Sequence, residues 1–150
     1  MSANTAFPQV VYRKNVLPPV SAVLDLYRSA PLAGRPDDQV ARMYENSNLV
    51  ITAWDGDLLV GVARSVTDFS FCCYVSDLAI RKEYQKGGVG RELLRLTKEA
   101  VGDACPFLLL LASEVGETYY PKIGFSRVDA FIMRKEGYPD YNERSFGLSK

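Results

Sequence analysis

The sequence predicts a single mixed α/β or α+β domain of 150 residues. Three observations carry that prediction. Hydrophobic periodicity switches several times along the chain, from short β-branched runs to helical spacing and back. Hydrophobic residues make up 47% of the chain and charged residues 24%, the balance of a globular protein rather than a disordered one. A chain of this length buries about 68% of its extended surface, enough for a core without metals or disulfides. No linker, repeat or low-complexity tract divides it.

The elements follow in order. Val10, Val11 and Tyr12 read as a short strand, and Pro18-Pro19 ends that segment ahead of a helix. Val20, Val23, Leu24, Leu26 and Tyr27 recur at helical spacing, which predicts a helix over Val20–Ser29. Pro31 and Gly34-Arg35-Pro36 break it. Asp37 and Asp38 place negative charge in the first turn of a second helix, which carries Val40, Met43 and Tyr44 and runs to Glu45. Residues 49–54 are apolar and partly β-branched, Asp55-Gly56-Asp57 makes a hairpin turn, and Leu58–Thr67 returns. With residues 71–80 these runs form an antiparallel meander. From Gly88 the period is helical again, and Leu93, Leu94, Leu96, Thr97, Ala100 and Val101 mark one apolar face. Residues 107–112 are apolar without alternation, which predicts a central strand covered on both faces. Residues 114–120 read as a short helix stopped near Pro121, residues 128–134 as a last strand, and the tail over 135–150 as irregular.

Composition removes several function classes. Eighteen Lys and Arg balance 18 Asp and Glu, so no net field draws the chain to nucleic acid or an anionic membrane. Histidine is absent, which excludes Ser-His-Asp and Cys-His nucleophilic systems, the HExxH zinc motif and the His-containing zinc deaminase motif. Acid and base work then falls to Asp, Glu, Tyr, Cys, Lys, backbone or water. Cys72, Cys73 and Cys105 are an odd set without CxxC, not a disulfide framework, and a reducing cytoplasm is the expected compartment. The start MSANTAFPQV lacks the basic and apolar regions of a signal peptide, and the apolar run at 107–112 is too short to span a bilayer. No metal site is expected.

The sharpest local signal lies at residues 76–91. A strand ending at Ile80 leads into a basic, glycine-rich turn that opens a helix. Gly87, Gly88 and Gly90 permit positive φ and close approach of backbone to a ligand. Their amides and the helix N-terminus converge on an anion, most economically a nucleotide pyrophosphate, and Lys86 and Arg91 add reach to phosphate oxygens. No Gly-Lys-Ser/Thr follows, so this is not a Walker A loop. Gly-x-Gly-x-x-Gly is absent too, and the preceding meander is antiparallel, which excludes a dinucleotide fingerprint. A tight turn that merely caps a helix is the plainer reading.

Gln85-x-x-Gly88-x-Gly90 after that strand resembles the acetyl-CoA-binding motif of the GNAT superfamily of N-acetyltransferases. Tyr119-Tyr120-Pro121-Lys122-Ile123-Gly124-Phe125 resembles the family's aromatic-Tyr-x-Lys-x-Gly-Phe segment, and Val60-Gly61-Val62-Ala63-Arg64 its strand before the cofactor strand. The landmarks stand in family order, and the similarity covers residues 10–134. The contexts of Arg64 and Asp77 look closest to small bacterial members and to the plant and cyanobacterial arylalkylamine (serotonin-type) enzymes. The resemblance implies the GNAT acyl-CoA N-acyltransferase fold, a central, mostly antiparallel sheet splayed between strands 4 and 5 and flanked by helices. It also implies acetyl-CoA as cofactor, with coenzyme A as product. Leu78, Ala79 and Ile80 would lie along the pantetheine arm, and Gln85, Lys86, Gly87, Gly88, Val89, Gly90 and Arg91 around the pyrophosphate. A bulge near Leu78 or Ala79 would help splay the strands.

The implied chemistry is direct transfer, in which an amine attacks the thioester and a thiolate leaves. Tyr120 matches the family's general acid, and a phenol near pKa 10 suits a basic leaving thiolate. Asp77 matches an acid of the arylalkylamine-type members and is a candidate base. Its plainer reading is a carboxylate that pairs with Arg64 or holds a loop. Tyr84 is a second candidate participant or a packing residue beside the turn, and ordered water is the remaining base. By strand alternation Asp77 shares a face with Val75 and Ala79. Several protein-modifying relatives carry Glu where this chain has Tyr74, which argues against a histone-type acceptor. Tyr27, Leu32, Arg35, Arg64 and Tyr74 are candidate acceptor-site residues. The expected activity is N-acetylation of a primary amine on a small molecule. Protein lysine or N-terminal acetylation and a non-catalytic acyl-CoA sensor are the alternatives. Phe131-Ile132-Met133 either supports a homodimer through C-terminal strands or closes the sheet.

Overall fold

A computed structural model describes residues 5–30, 32, 35–133, 135 and 136. They fall into two compact units divided between Leu110 and Leu111. In the first unit β1 (Val11–Lys14), β2 (Leu49–Asp55), β3 (Leu58–Thr67), β4 (Cys72–Ile80) and β5 (Phe107–Leu109) form one sheet in chain order. The first four strands run antiparallel, and β5 lies parallel to β4. Three helices flank this sheet: α1 (Val20–Ser29), α2 (Val40–Glu45) and α3 (Val89–Val101).

Pro19 precedes α1, and its carbonyl accepts the first amides, from Ala22 at 3.0 Å and Val23 at 3.2 Å. The buried stripe Val23, Leu26 and Tyr27 packs with Val40 and Tyr44 of α2 on Val50, Trp54, Leu59, Val62 and Ala79 of the sheet. A single 3₁₀ turn over Asp37–Gln39 leads into α2 and takes up the part of the predicted helix that is not α-helical. On the opposite face Val89, Leu93, Leu94, Thr97 and Val101 of α3 are buried. Burial of each large side chain of this kind contributes about 1.5 to 3 kcal/mol. Helices on both faces explain why six of the seven residues of β2 are buried rather than alternating.

Two strand expectations are corrected. Only residues 107–109 of the apolar run pair, and they pair with β4 alone. Phe107 and Leu109 are 52% and 42% exposed, so β5 is an edge strand among the described residues and not a central one. Residues 128–133 form no strand, since no ladder partner pairs with them among the described residues. Arg134 and residues 137–150, including most of the predicted irregular tail, lie outside the described residues. None of the described helices is long and apolar enough to cross a membrane.

The second unit contains α4 (Glu114–Tyr119), whose N-cap Ser113 accepts a hydrogen bond from the Gly116 amide. A 3₁₀ turn over Tyr120–Ile123 follows, closed by Gly124 at φ +100°.

Candidate active site

Pairing between β4 and β5 covers Cys72, Cys73 and Tyr74 and then stops. Residues 75–80 of β4 therefore have a strand neighbour only on the β3 side among the described residues. This is the splay point of the sheet. Ser65 pairs with Val75 and Arg64 with Asp77, so Ser76 is the extra residue of a bulge in β4. The bulge expected near Leu78 or Ala79 thus lies at Ser76, two residues before Leu78. It also corrects the predicted face of Asp77. Residues opposite one another in a ladder share a face, and Arg64 and Ser65 point to opposite faces. Asp77 therefore joins Ala79 on the α1–α2 side, while Val75 is turned to the α3 side.

Beyond Ile80 the chain makes a 3₁₀ turn at Lys82–Tyr84 and then the glycine-rich turn. Lys86 and Gly88 both hold left-handed backbone, at φ +60° and +92°. Gly88 is the N-cap of α3 and supplies no side chain to cap it. The Glu92 amide is the first to bond back, to the Gly88 carbonyl at 3.0 Å, so the amides of Val89, Gly90 and Arg91 carry no intrahelical bond. Three orphan donors at the positive end of a 13-residue helix, with exposed Lys86 and Arg91 beside them, fit a diphosphate. The Gln85 side-chain amide donates to the Ile80 carbonyl at 3.0 Å and closes the turn onto the strand.

Asp77 is fully buried at the centre of a polar cluster. Arg64 donates from Nε to Oδ2 at 2.7 Å and from Nη2 to Oδ1 at 3.2 Å. Arg35 donates from Nε to Oδ1 at 2.7 Å, and the Tyr27 hydroxyl donates to Oδ2 at 2.5 Å. Tyr27 also bonds Tyr44 through their hydroxyls at 2.7 Å, and Arg64 reaches the hydroxyls of Ser47 and Ser76. Burial works to raise the Asp77 pKa, but the Arg64 hydrogen bonds and the charges of Arg35 and Arg64 hold it below the usual carboxylate range. A carboxylate so engaged is a poor proton acceptor. Burial pushes both phenols up, so Tyr27 and Tyr44 stay neutral.

Tyr27 and Arg64, expected at the acceptor wall, are 7% exposed and bonded within this cluster. Leu32, also expected there, is partly buried and packs against the α1–α2 core. Arg35 joins the cluster at 16% side-chain exposure. Tyr74 is half-buried at the last position of β4 that pairs with β5. Tyr84 donates its hydroxyl to Asp55 at 2.7 Å and packs against the Phe7 ring, with centroids 4.9 Å apart. Sequence reasoning overlooked Tyr44, Ser47 and Ser76. Only Tyr44 carried a signal, a phenol on an apolar helix face that needs a partner.

In the second unit the Tyr120 ring sits between Tyr119 and Phe125, with centroids 5.5 and 5.4 Å away. Gly116 lies against the Tyr120 ring, where a Cβ would come within 2.6 Å. Burial pushes the Tyr120 hydroxyl up to about 12, with a smaller effect from Tyr119, so it holds its proton at neutral pH. Among the described residues no cluster of three His, Cys, Asp or Glu could bind a metal.

A sheet that parts between its fourth and fifth strands, beside an uncapped helix N-terminus behind a glycine turn, defines an acyl-CoA-dependent acyltransferase architecture. Comparison with known proteins agrees. The model of the acetyltransferase (GNAT) domain matches residues 34–138, across both units. A structure from methicillin-resistant Staphylococcus aureus superposes with a TM-score of 0.73 at 18% identity, covering 84% of this chain and 99% of that one. A GNAT-family acetyltransferase of Streptococcus pneumoniae gives 0.71 at 22%, with 85% and 98% covered. The aminoglycoside N-acetyltransferase AAC(6')-Iy, solved in complex with CoA, gives 0.68 at 13%, with 86% and 95% covered. No curated protein sequence matches significantly. The chain belongs to the GNAT acetyltransferase family and is an acetyl-CoA-dependent acetyltransferase.

Proposed function

We propose that this chain acetylates a primary amine of a small molecule, with acetyl-CoA bound at the glycine turn. The observation that carries the reading is the Gly88-capped N-terminus of α3, whose first amides have no partner among the described residues. Acetyl-CoA supplies an acyl group already activated as a thioester. The amides of Val89, Gly90 and Arg91, with the Lys86 and Arg91 side chains, hold its diphosphate. Residues 78–80 offer backbone groups along the edge of β4 that β5 leaves unpaired. Tyr120 keeps a proton on its hydroxyl as general acid, since its raised pKa leaves it un-ionised at rest. Asp77 orients the cluster that ties α1 and the segment before α2 to the sheet, and water takes the proton of the amine.

The likeness of the Arg64 and Asp77 contexts to arylalkylamine enzymes makes aromatic amines the first acceptors to try. Aminoglycosides belong in the same panel, given the fold shared with AAC(6')-Iy. Acetyl-CoA consumption across these amines, polyamines and lysine peptides tests the reading, with Gly88→Asp as control. Turnover on a small amine that Gly88→Asp abolishes is the expected result. Turnover confined to peptides would replace the small-molecule acceptor, and CoA binding without turnover on any acceptor would leave an acyl-CoA sensor.

A further inference from the structure

Residues 6–9 precede the first strand and belong to no regular element, yet they are tied to the glycine turn. The Ala6 amide donates to the Gly87 carbonyl at 2.8 Å. The Phe7 ring lies so close to Gly87 that a Cβ there would overlap its Cε2 atom. Phe7 also packs on Tyr84, with centroids 4.9 Å apart. Tyr84 is fixed in turn by Asp55, which accepts from the Tyr84 hydroxyl at 2.7 Å and from the Gln9 amide at 3.1 Å. Arm, hairpin and turn therefore close on one another.

The position of this contact gives it consequence. Gly87 and Gly88 share a peptide plane, and in a trans peptide the carbonyl and the amide point in opposite directions. Holding the Gly87 carbonyl toward Ala6 aims the Gly88 N–H away from the arm. Gly88 caps α3, so the same plane sets how the chain enters the helix whose amides are free for an anion. Elsewhere the turn is fixed at its leading end, where the Arg81 amide bonds the Val60 carbonyl and its side chain reaches Leu59 and Asp25. The arm fixes the trailing end. With two left-handed residues and three glycines in the stretch from Gln85 through Gly90, a turn lacking that contact has many alternatives to its binding conformation.

We propose that residues 6–9 are a positioning arm for the cofactor turn, with Phe7 as its anchor. This rests on the reading that the turn binds acetyl-CoA. Phe7→Ala should weaken CoA binding about 10-fold by calorimetry, the scale of one packed aromatic contact. Its kcat at saturating acetyl-CoA and its thermal midpoint should stay near wild type, while Phe7→Tyr should restore affinity. Gly87→Ala should also weaken binding, because its methyl meets the Phe7 ring. In the double variant the ring is gone and only the Ala6 Cβ, 3.3 Å away, still meets the methyl, so the loss should stay close to that of Phe7→Ala alone rather than the product of the two. Wild-type affinity in Phe7→Ala, or multiplicative losses in the double variant, would overturn the arm. If Gly88→Asp abolishes binding in the same series, the cofactor assignment survives that result. If wild-type protein binds no CoA, both fall together.

Discussion

Arg64 and Asp77 stand opposite one another in the β3–β4 ladder, and the guanidinium grips both carboxylate oxygens. The pair is buried, and a buried ion pair stabilises a fold only when its remaining hydrogen-bonding capacity is met. Here Tyr27 and Arg35 complete Asp77, while Ser47 and Ser76 complete Arg64. One carboxylate thereby joins α1, the segment before α2 and two strands beside the bulge at Ser76.

Removing that charge should therefore destabilise the fold. Asp77→Asn leaves two guanidinium groups without their counter-ion, and loss of one partner of a buried pair costs about 3 to 5 kcal/mol. The pKa of Asp77 is depressed in the folded state, so its contribution is complete above the unfolded carboxylate value near pH 4 and is lost as pH falls through the lower folded value. Thermal melts of wild type and variant should differ widely at pH 7 and converge below about pH 4. A constant gap down to pH 2 would show that Asp77 is not charged in this cluster.

The same variant separates positioning from proton transfer. If water is the base, the pH profile of kcat/KM in Asp77→Asn should run parallel to wild type across the titration of the amine, with the loss expressed mainly in acceptor KM. A defect that shrinks as pH rises toward the amine's own pKa would return Asp77 to the role of base.

How far the sequence reveals this site depends on what each feature needs. The helices Val20–Ser29 and Val89–Val101 are legible because Pro19 and Gly88 mark their starts and their apolar residues recur at helical spacing. The meander is legible from its hairpin turn and β-branched runs. The fate of residues 107–112 is not, since an apolar run suits a central strand and an edge that leaves the sheet equally well. The bulge at Ser76 leaves no mark either, because no residue type there demands it, and it alone turns Asp77 and Val75 to opposite faces. Arg64 could be paired with Asp77 by strand register. Arg35 could not, because the reach of a loop side chain follows no periodicity.

Backbone conformation at Gly88 gives a third test. At φ +92° any side chain is strained, and an L-residue in left-handed conformation costs about 1 to 2 kcal/mol. Gly88→Ala should lower the thermal midpoint and weaken CoA binding together, whereas Lys86→Ala should weaken binding with little change in stability, since Ala and Lys carry the same Cβ at this left-handed position and the Lys86 side chain is exposed. Raising salt should narrow the affinity gap between wild type and Lys86→Ala, because the Lys86 charge is exposed and screened. An affinity gap independent of salt would remove Lys86 from the diphosphate contact.

The general acid can be tested by deleting one oxygen. Tyr120→Phe retains the ring between Tyr119 and Phe125, so packing and stability should hold. What is lost is the hydroxyl proton, and kcat should fall about 10- to 1000-fold while CoA affinity is preserved. The raised pKa adds a second expectation. A group that ionises at about 12 stays competent as an acid through neutral and mildly alkaline pH, so wild-type kcat should show no alkaline limb from Tyr120 below that range. The deficit of Tyr120→Phe should accordingly be the same at pH 7 and pH 9. Leaving-group basicity offers the sharper criterion, because an acid matters most when the departing sulfur is most basic. Acyl donors with more acidic thiols should therefore narrow the gap between the two proteins, and a gap that stays the same across such donors would show that the Tyr120 hydroxyl orients a reactant rather than protonates the leaving sulfur.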